Sequence, residues 1–216
     1  MPSFFKAPIS KQFSSHFGPK VSLRLAYLPD KPAITVLDAY HGPGEIWDEI
    51  KKRRPDLDIA VVGIDAKPLR QPCLKGNNIK YLRTLDLAAF DVIDLDAYGC
   101  PFAQMQILFE RGFPGRVFAT YIKLEAGALS HGLLIANGYS HAMIKTCPTL
   151  VMQNPLGLLK NYLALNGVAR IAYFSFDGAR KTYLTYQKGT TQKPTGPQPP
   201  QTVFCPKTAP KRKSQQ

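Results

Sequence analysis

Residues 34–65 read ITVLDAYHGPGEIWDEIKKRRPDLDIAVVGID, and this stretch decides the fold. Ile34–Leu37 is a short apolar run that ends at Asp38. The turn His41-Gly-Pro-Gly44 follows, and Glu45–Arg54 then has the pattern of a helix with a charged outer face. Ile59–Ile64 is a second apolar run, again closed by an acid, Asp65. A continuous apolar strand, a glycine turn, a helix and another continuous apolar strand form a βαβ unit, and unbroken apolar strands imply a sheet covered on both faces. Working outward, Ile79–Leu82 reads as a third strand and Phe90–Leu95 as a fourth, punctuated by Asp94 and Asp96. Phe102–Arg111 reads as a helix and Arg116–Ile122 as a fifth strand. Leu156–Leu165 reads as a helix stopped by Asn166-Gly167. Val168–Phe176 and Lys181–Gln187 read as two strands joined at Asp177-Gly178, an antiparallel hairpin at the sheet edge. The fold class expected is α/β: Rossmann-like, with a mostly parallel central sheet, helices on both faces and an antiparallel edge hairpin.

The chain has 216 residues, the size of one large domain, and its 44% hydrophobic content suffices for a core. Charge divides it further. Residues 1–32 hold five basic and one acidic residue, and 188–216 hold six basic and no acidic ones, against a formal total of +13. The expected organisation is a basic N-terminal arm and lead-in element over 1–32, an α/β domain over 33–187, and a solvated Pro/Gln-rich basic tail over 188–216. Basic ends on a nearly neutral body favour a polyanionic partner, nucleic acid first. Cys73, Cys100, Cys147 and Cys205 form no CxxC pair and no zinc spacing, so neither a disulfide framework nor a metal is expected. No apolar run is long enough to span a bilayer. The N-terminal stretch is basic and free of acid, as organellar presequences are, but Pro2, Pro8 and Pro19 break it and it lacks arginine up to Lys20; a cytoplasmic setting is expected.

Ligands of open parallel sheets bind beyond the carboxyl ends of the strands. There the sequence places Asp38, Asp65, Asp86, Asp94 and Asp96, each of which could also be a plain turn-former or helix cap. Gly42 and Gly44 allow close backbone approach at a helix start, and Asp65 follows Gly44 by 21 residues, near the spacing of a ribose-gripping carboxylate. A dinucleotide fingerprint would need a third glycine where Trp47 stands. A nucleoside cofactor without a pyrophosphate fits better.

The order strand, acid, glycine turn, helix, strand, acid, strand, acid resembles the class I S-adenosylmethionine-dependent methyltransferases. That resemblance implies S-adenosyl-L-methionine as cofactor. Asp38 and the Gly42–Gly44 turn would line its methionine half, Asp65 the ribose and Asp86 the adenine, with Asp94 also in the cofactor set; His41 in that turn either touches the ligand or caps the helix. Phe90–Pro101, FDVIDLDAYGCP, is similar to the fourth-strand motif of the tRNA guanine-N2 dimethyltransferase family. Asp94, Asp96, Tyr98 and Gly99 match; Ala97 replaces that family's proline and Cys100 its usual serine. The likeness covers roughly residues 34–124, and the family's large C-terminal domain has no room here.

The resemblance implies catalysis at Asp96, Ala97 and Tyr98. The chemistry has its own logic: an exocyclic amine is a poor nucleophile because its lone pair is delocalised into the ring. Carboxylate and carbonyl acceptors for its N–H groups would orient that pair, and Tyr98 would stack an extruded base. Cys100 suits a small buried thiol better than a ring-carbon nucleophile. Lys123 beyond the fifth strand and Lys211, Arg212 and Lys213 in the tail complete the expected nucleic-acid contacts. The function expected is methylation of an exocyclic amine of a nucleic-acid base, with RNA favoured and tRNA modification the nearest parallel, and with room for a protein partner that supplies substrate recognition. The alternatives are a catalytically degenerate binding module for nucleic acid or a partner, and a methyltransferase of small molecules or proteins.

Overall fold

The computed structural model describes residues 16–68, 72–122, 131–146, 155–176 and 181–189. Its elements in chain order are α1 (Phe17–Ala26), β1 (Ala33–Asp38), α2 (Glu45–Arg53), β2 (Asp58–Asp65), β3 (Leu74–Lys75), α3 (Asn78–Thr84), a short 3-10 turn (Leu87–Ala89), β4 (Val92–Leu95), α4 (Phe102–Glu110), β5 (Arg116–Ile122), α5 (His131–Ala136), α6 (His141–Thr146), α7 (Pro155–Leu165), β6 (Ile171–Phe176) and β7 (Lys181–Gln187). The seven strands form one sheet in the order β3-β2-β1-β4-β5-β7-β6. The first five are parallel, and β7 runs antiparallel to both β5 and β6. The α/β reading and its edge hairpin hold; the turn at Asp177-Gly178 lies outside the described residues.

Strand alternation sorts the core into two layers. Ile34, Val36, Val92, Phe118 and Tyr183 face α1 and α2. Leu37, Ile93, Leu95, Val117, Ala119, Tyr121 and Leu184 face the opposite side, with Met105, Leu108, Leu159 and Leu163. The same period of two puts Asp94 and Asp96 on Val92's side and Asp38 on Val36's side. All three acids therefore look toward α1 and α2.

Two expectations change here. The lead-in element within 1–32 is a helix that begins at Phe17 and so takes in the end of the expected arm, and its Val21, Leu23 and Arg24 are buried. Pro19 fits because the first turn of a helix needs no backbone donor. Ile79–Leu82 is not a strand either. Asn77 caps a helix there, its side chain accepting from the Ile79 amide at 2.9 Å, and Ile79, Leu82 and Leu85 follow at helical spacing. The third strand is the two-residue β3.

Candidate functional site

The carboxyl ends of β2, β1 and β4 lie side by side in the sheet. At the end of β1, Asp38 accepts from the Tyr40 amide at 3.2 Å, and its other oxygen lies 3.1 Å from His41 Nδ1. At the end of β2, Asp65 accepts from the Gly42 amide at 2.9 Å and the Lys67 amide at 2.7 Å. The glycine turn is thus sewn to both acids. Gly42 (φ +52) and Gly44 (φ +77) are left-handed, but they serve different needs. A β-carbon on Gly42 would meet nothing within 4 Å, so open space lies over the turn; one on Gly44 would come 2.9 Å from the His41 ring. His41 also fills the space over Gly63, where a β-carbon would sit 2.4 Å from its Cγ. The hydrogen bond to Asp38 raises the His41 pKa above its ordinary value, against a smaller opposing effect of burial.

At β4 the acids are already partnered from α1. Arg24 donates to both oxygens of Asp94, at 2.6 and 2.7 Å, and the Trp47 indole N–H donates to Asp94 at 2.9 Å. Arg24 and Asp94 are each only 1% exposed. Burial pushes the Asp94 carboxyl up while the Arg24 guanidinium, bound to both of its oxygens, pulls the other way. Asp94 is therefore a counter-ion in the core, with three of its acceptor positions taken by Arg24 and Trp47. Two residues on, Lys20 donates to Asp96 at 2.7 Å and Thr120 donates to its other oxygen. Burial would raise the Asp96 pKa, but Arg24, Lys20 and Thr120 together hold it below the usual carboxylate range.

The turn after Asp96 is closed by the Ala97 amide, which donates to the Leu95 carbonyl at 2.7 Å. Proline has no N–H to make this bond, so alanine at position 97 allows a contact that a proline there would lack. Gly99 (φ +119) carries the chain around, its carbonyl accepting from the Ile122 amide, and Tyr98 stands out at 88% exposure. Cys100 is half-buried, its thiol pushed up to about 12 by desolvation, which suits packing and not attack.

Asp86 departs from expectation. It follows α3, which returns from the carboxyl edge, and precedes β4, so it sits at the amino edge of the sheet, where its carboxylate caps the Leu87–Ala89 turn. The end of β3 belongs instead to Asn77 and Asn78; the Asn78 amide donates to the Ala39 carbonyl at 3.0 Å and accepts from Gln104 at 3.0 Å. Asn78, Lys20, Arg24 and Thr120 were all missed. Only Asn77-Asn78 had a local signal, a cap pair ahead of helical spacing. Lys123, Lys211, Arg212 and Lys213 lie outside the described residues. Among the described residues no group of three or more His, Cys, Asp or Glu could hold a metal, and no helix is long and apolar enough to cross a membrane.

No protein-family model matches the chain, and no curated protein matches it in sequence. Solved structures do match. A possible exported protein from Bordetella parapertussis aligns at TM-score 0.51 and 13% identity, over 86% of this chain and 74% of that one. What is shared is the fold. Haemonchus contortus phosphoethanolamine N-methyltransferase 2, solved with phosphomonomethylethanolamine and S-adenosylhomocysteine, aligns at TM-score 0.49 and 12% identity, over 79% of this chain and 52% of that one. Human N-acetylserotonin methyltransferase in complex with S-adenosylmethionine aligns at TM-score 0.44 and 16% identity, over 83% and 53%. The chain spans about half the length of these two methyltransferases. The neighbours therefore include S-adenosylmethionine-dependent methyltransferases acting on different substrates.

Proposed function

We propose that the chain is an S-adenosylmethionine-dependent methyltransferase acting on an exocyclic amine of a nucleic-acid base, RNA of the tRNA kind ahead of DNA. The observation that carries the reading is the rim over β2, β1 and β4. Asp65 and Asp38 flank a glycine turn with open space above Gly42, and the Asp96–Gly99 turn stands on the next strand. The residues fit the cofactor. Each carboxylate has about four acceptor positions, and Asp38 and Asp65 each spend two on the protein. Asp65 would hold ribose hydroxyls, Asp38 the methionine amino group, and Gly42 would let the backbone come close. When bound, S-adenosylmethionine supplies an electrophilic methyl group on a sulfonium sulfur.

The chain's own work is positioning. Asp96 and the carbonyl of Asp96 or Ala97 would accept the two N–H bonds of an amine and turn its lone pair toward the cofactor side of the rim. Tyr98, exposed on a glycine-bounded turn, offers a face for an unstacked base. The preference for RNA rests on the likeness of residues 90–101 to the guanine-N2 dimethyltransferase motif. Basic segments, a separate recognition subunit and a reducing cytoplasmic setting belong to the same proposal; Cys73 and Cys100 are free thiols.

A second reading, a binding module that has lost catalysis, draws on the engagement of Asp38 and Asp96 by His41 and Lys20. Calorimetry with S-adenosylhomocysteine separates the two. The enzyme reading expects micromolar binding that Asp65→Ala weakens at least tenfold, and transfer of labelled methyl to bulk tRNA in preference to denatured DNA. A folded protein with no affinity for the nucleoside leaves only the binding module.

A further inference from the structure

We propose that Lys20 and Thr120 are positioning residues that fix Asp96 as an ionised, oriented hydrogen-bond acceptor, so that this acid aims an amine and does not take its proton. The proposal rests on the methyltransferase reading above. Its geometry is independent of that reading. The Lys20 ammonium, from the first turns of α1, lies 2.7 Å from Asp96 Oδ2, with the two side chains only 13% and 12% exposed. The Thr120 hydroxyl, from β5, donates to Oδ1. One donor on each oxygen fixes the carboxylate plane and leaves the remaining lone-pair positions for a substrate. Lys20 is itself held: its Nζ lies 5.4 Å from the centre of the Tyr183 ring, and its carbonyl accepts from Arg24 at 2.9 Å.

The charged and polar groups facing Asp96 come from three elements. Lys20 and Arg24 come from α1, with Arg24 4.0 Å away, Asp94 lies on its own strand, and the hydroxyl of Thr120 comes from β5. Two cations near a half-buried carboxylate, and a hydroxyl bond to it, favour the charged form, in line with the lowered Asp96 pKa. An acid so stabilised is a weak base at neutral pH, so a proton released by a methylated amine goes to water.

The test needs no substrate for its first arm. Carboxyl-carbon NMR of the full chain follows Asp96 as pH falls. Wild type is expected to titrate below the ordinary aspartate range, Lys20→Met to rise by about 1–3 pH units, Thr120→Val to rise less, and Lys20→Arg and Thr120→Ser to stay near wild type. Unmoved titration in a folded Lys20→Met protein overturns the proposal; if that variant does not fold, unmoved titration in Thr120→Val does so. The second arm measures labelled methyl transfer to bulk tRNA against pH. Lys20→Met is expected to show its acid limb in kcat/KM at higher pH than wild type and Lys20→Arg, displaced together with its Asp96 titration, and a limb that stays in place while that titration moves overturns the orienting role. S-adenosylhomocysteine calorimetry on the same samples separates the two failures. Lost nucleoside binding with intact Asp96 behaviour sinks the enzyme reading, whereas intact binding with an ordinary Asp96 sinks this one.

Discussion

Gly44 and Gly63 both make room for one imidazole. Gly63→Ala would drive a methyl into the His41 ring at 2.4 Å, and the cost expected is about 1–3 kcal/mol, read as a fall in denaturant midpoint. Paired with His41→Ala, the same change should cost distinctly less than the two single variants added together, because the collision goes with the ring. An additive pair would mean that Gly63 is needed for some other reason. His41 also predicts a pH signature. Its folded pKa lies above its unfolded value because of Asp38, with Asp48 and Asp65 adding weaker pulls. The stability it contributes is then complete below the ordinary histidine pKa of about 6.5 and disappears as pH rises through the folded value. The difference in unfolding free energy between wild type and His41→Gln should accordingly shrink from pH 5.5 to 8.5; a flat or widening difference refutes the assignment. The sequence marked His41 as a ligand-turn residue but could not show its partner, since Gly63 lies on a different strand.

At the scale of elements, α1 carries the largest correction. Read by charge alone, Lys20 and Arg24 belong to a basic arm; folded, they neutralise Asp96 and Asp94, some seventy residues away. No local pattern reveals an ion pair at that separation. The strands were legible for the opposite reason, because β1, β2, β4 and β5 are mostly apolar runs, a local mark that sequence carries directly. The third strand was not, because β3 is two residues long and the neighbouring apolar spacing belonged to α3. Asp86 was misplaced along with it, as a strand end became a helix exit. α1 therefore behaves as a structural member of the domain. Arg24→Met leaves the buried Asp94 carboxyl without its counter-ion and with the Trp47 indole as its remaining side-chain donor, and should cost about 3–5 kcal/mol. Arg24→Met combined with Asp94→Leu should recover much of that loss, since a matched apolar pair has no stranded charge. Chemical denaturation of the four-member cycle checks this. Equal instability of the single and double variants would mean that α1 is held by its apolar residues alone.

At the scale of the whole molecule, the fate of those two cations changes where a polyanion can be held. The chain is formally +13, yet Lys20 and Arg24 are committed to Asp96 and Asp94, and Lys31, Arg53 and Arg54 are paired with Asp91, Glu49 and Asp56. The stretch from Lys188 to Gln216 has six basic residues and no acid of its own to pair with. If nucleic acid is the partner, this segment supplies the non-specific part of the affinity, by releasing counterions from phosphate. Replacing its six basic residues by glutamine should then weaken binding to bulk tRNA more than tenfold at low salt. Each lost contact to single-stranded RNA removes about 0.7 from the slope of log K against log salt, so losing four to six contacts should flatten that slope by about 3–4. Because the rim over β1, β2 and β4 is untouched, S-adenosylhomocysteine affinity should not change, and methyl transfer at saturating RNA should not either. An unaltered salt slope would assign RNA attraction to the folded domain, and unaltered affinity with lost nucleoside binding would mean that the tail serves the fold itself.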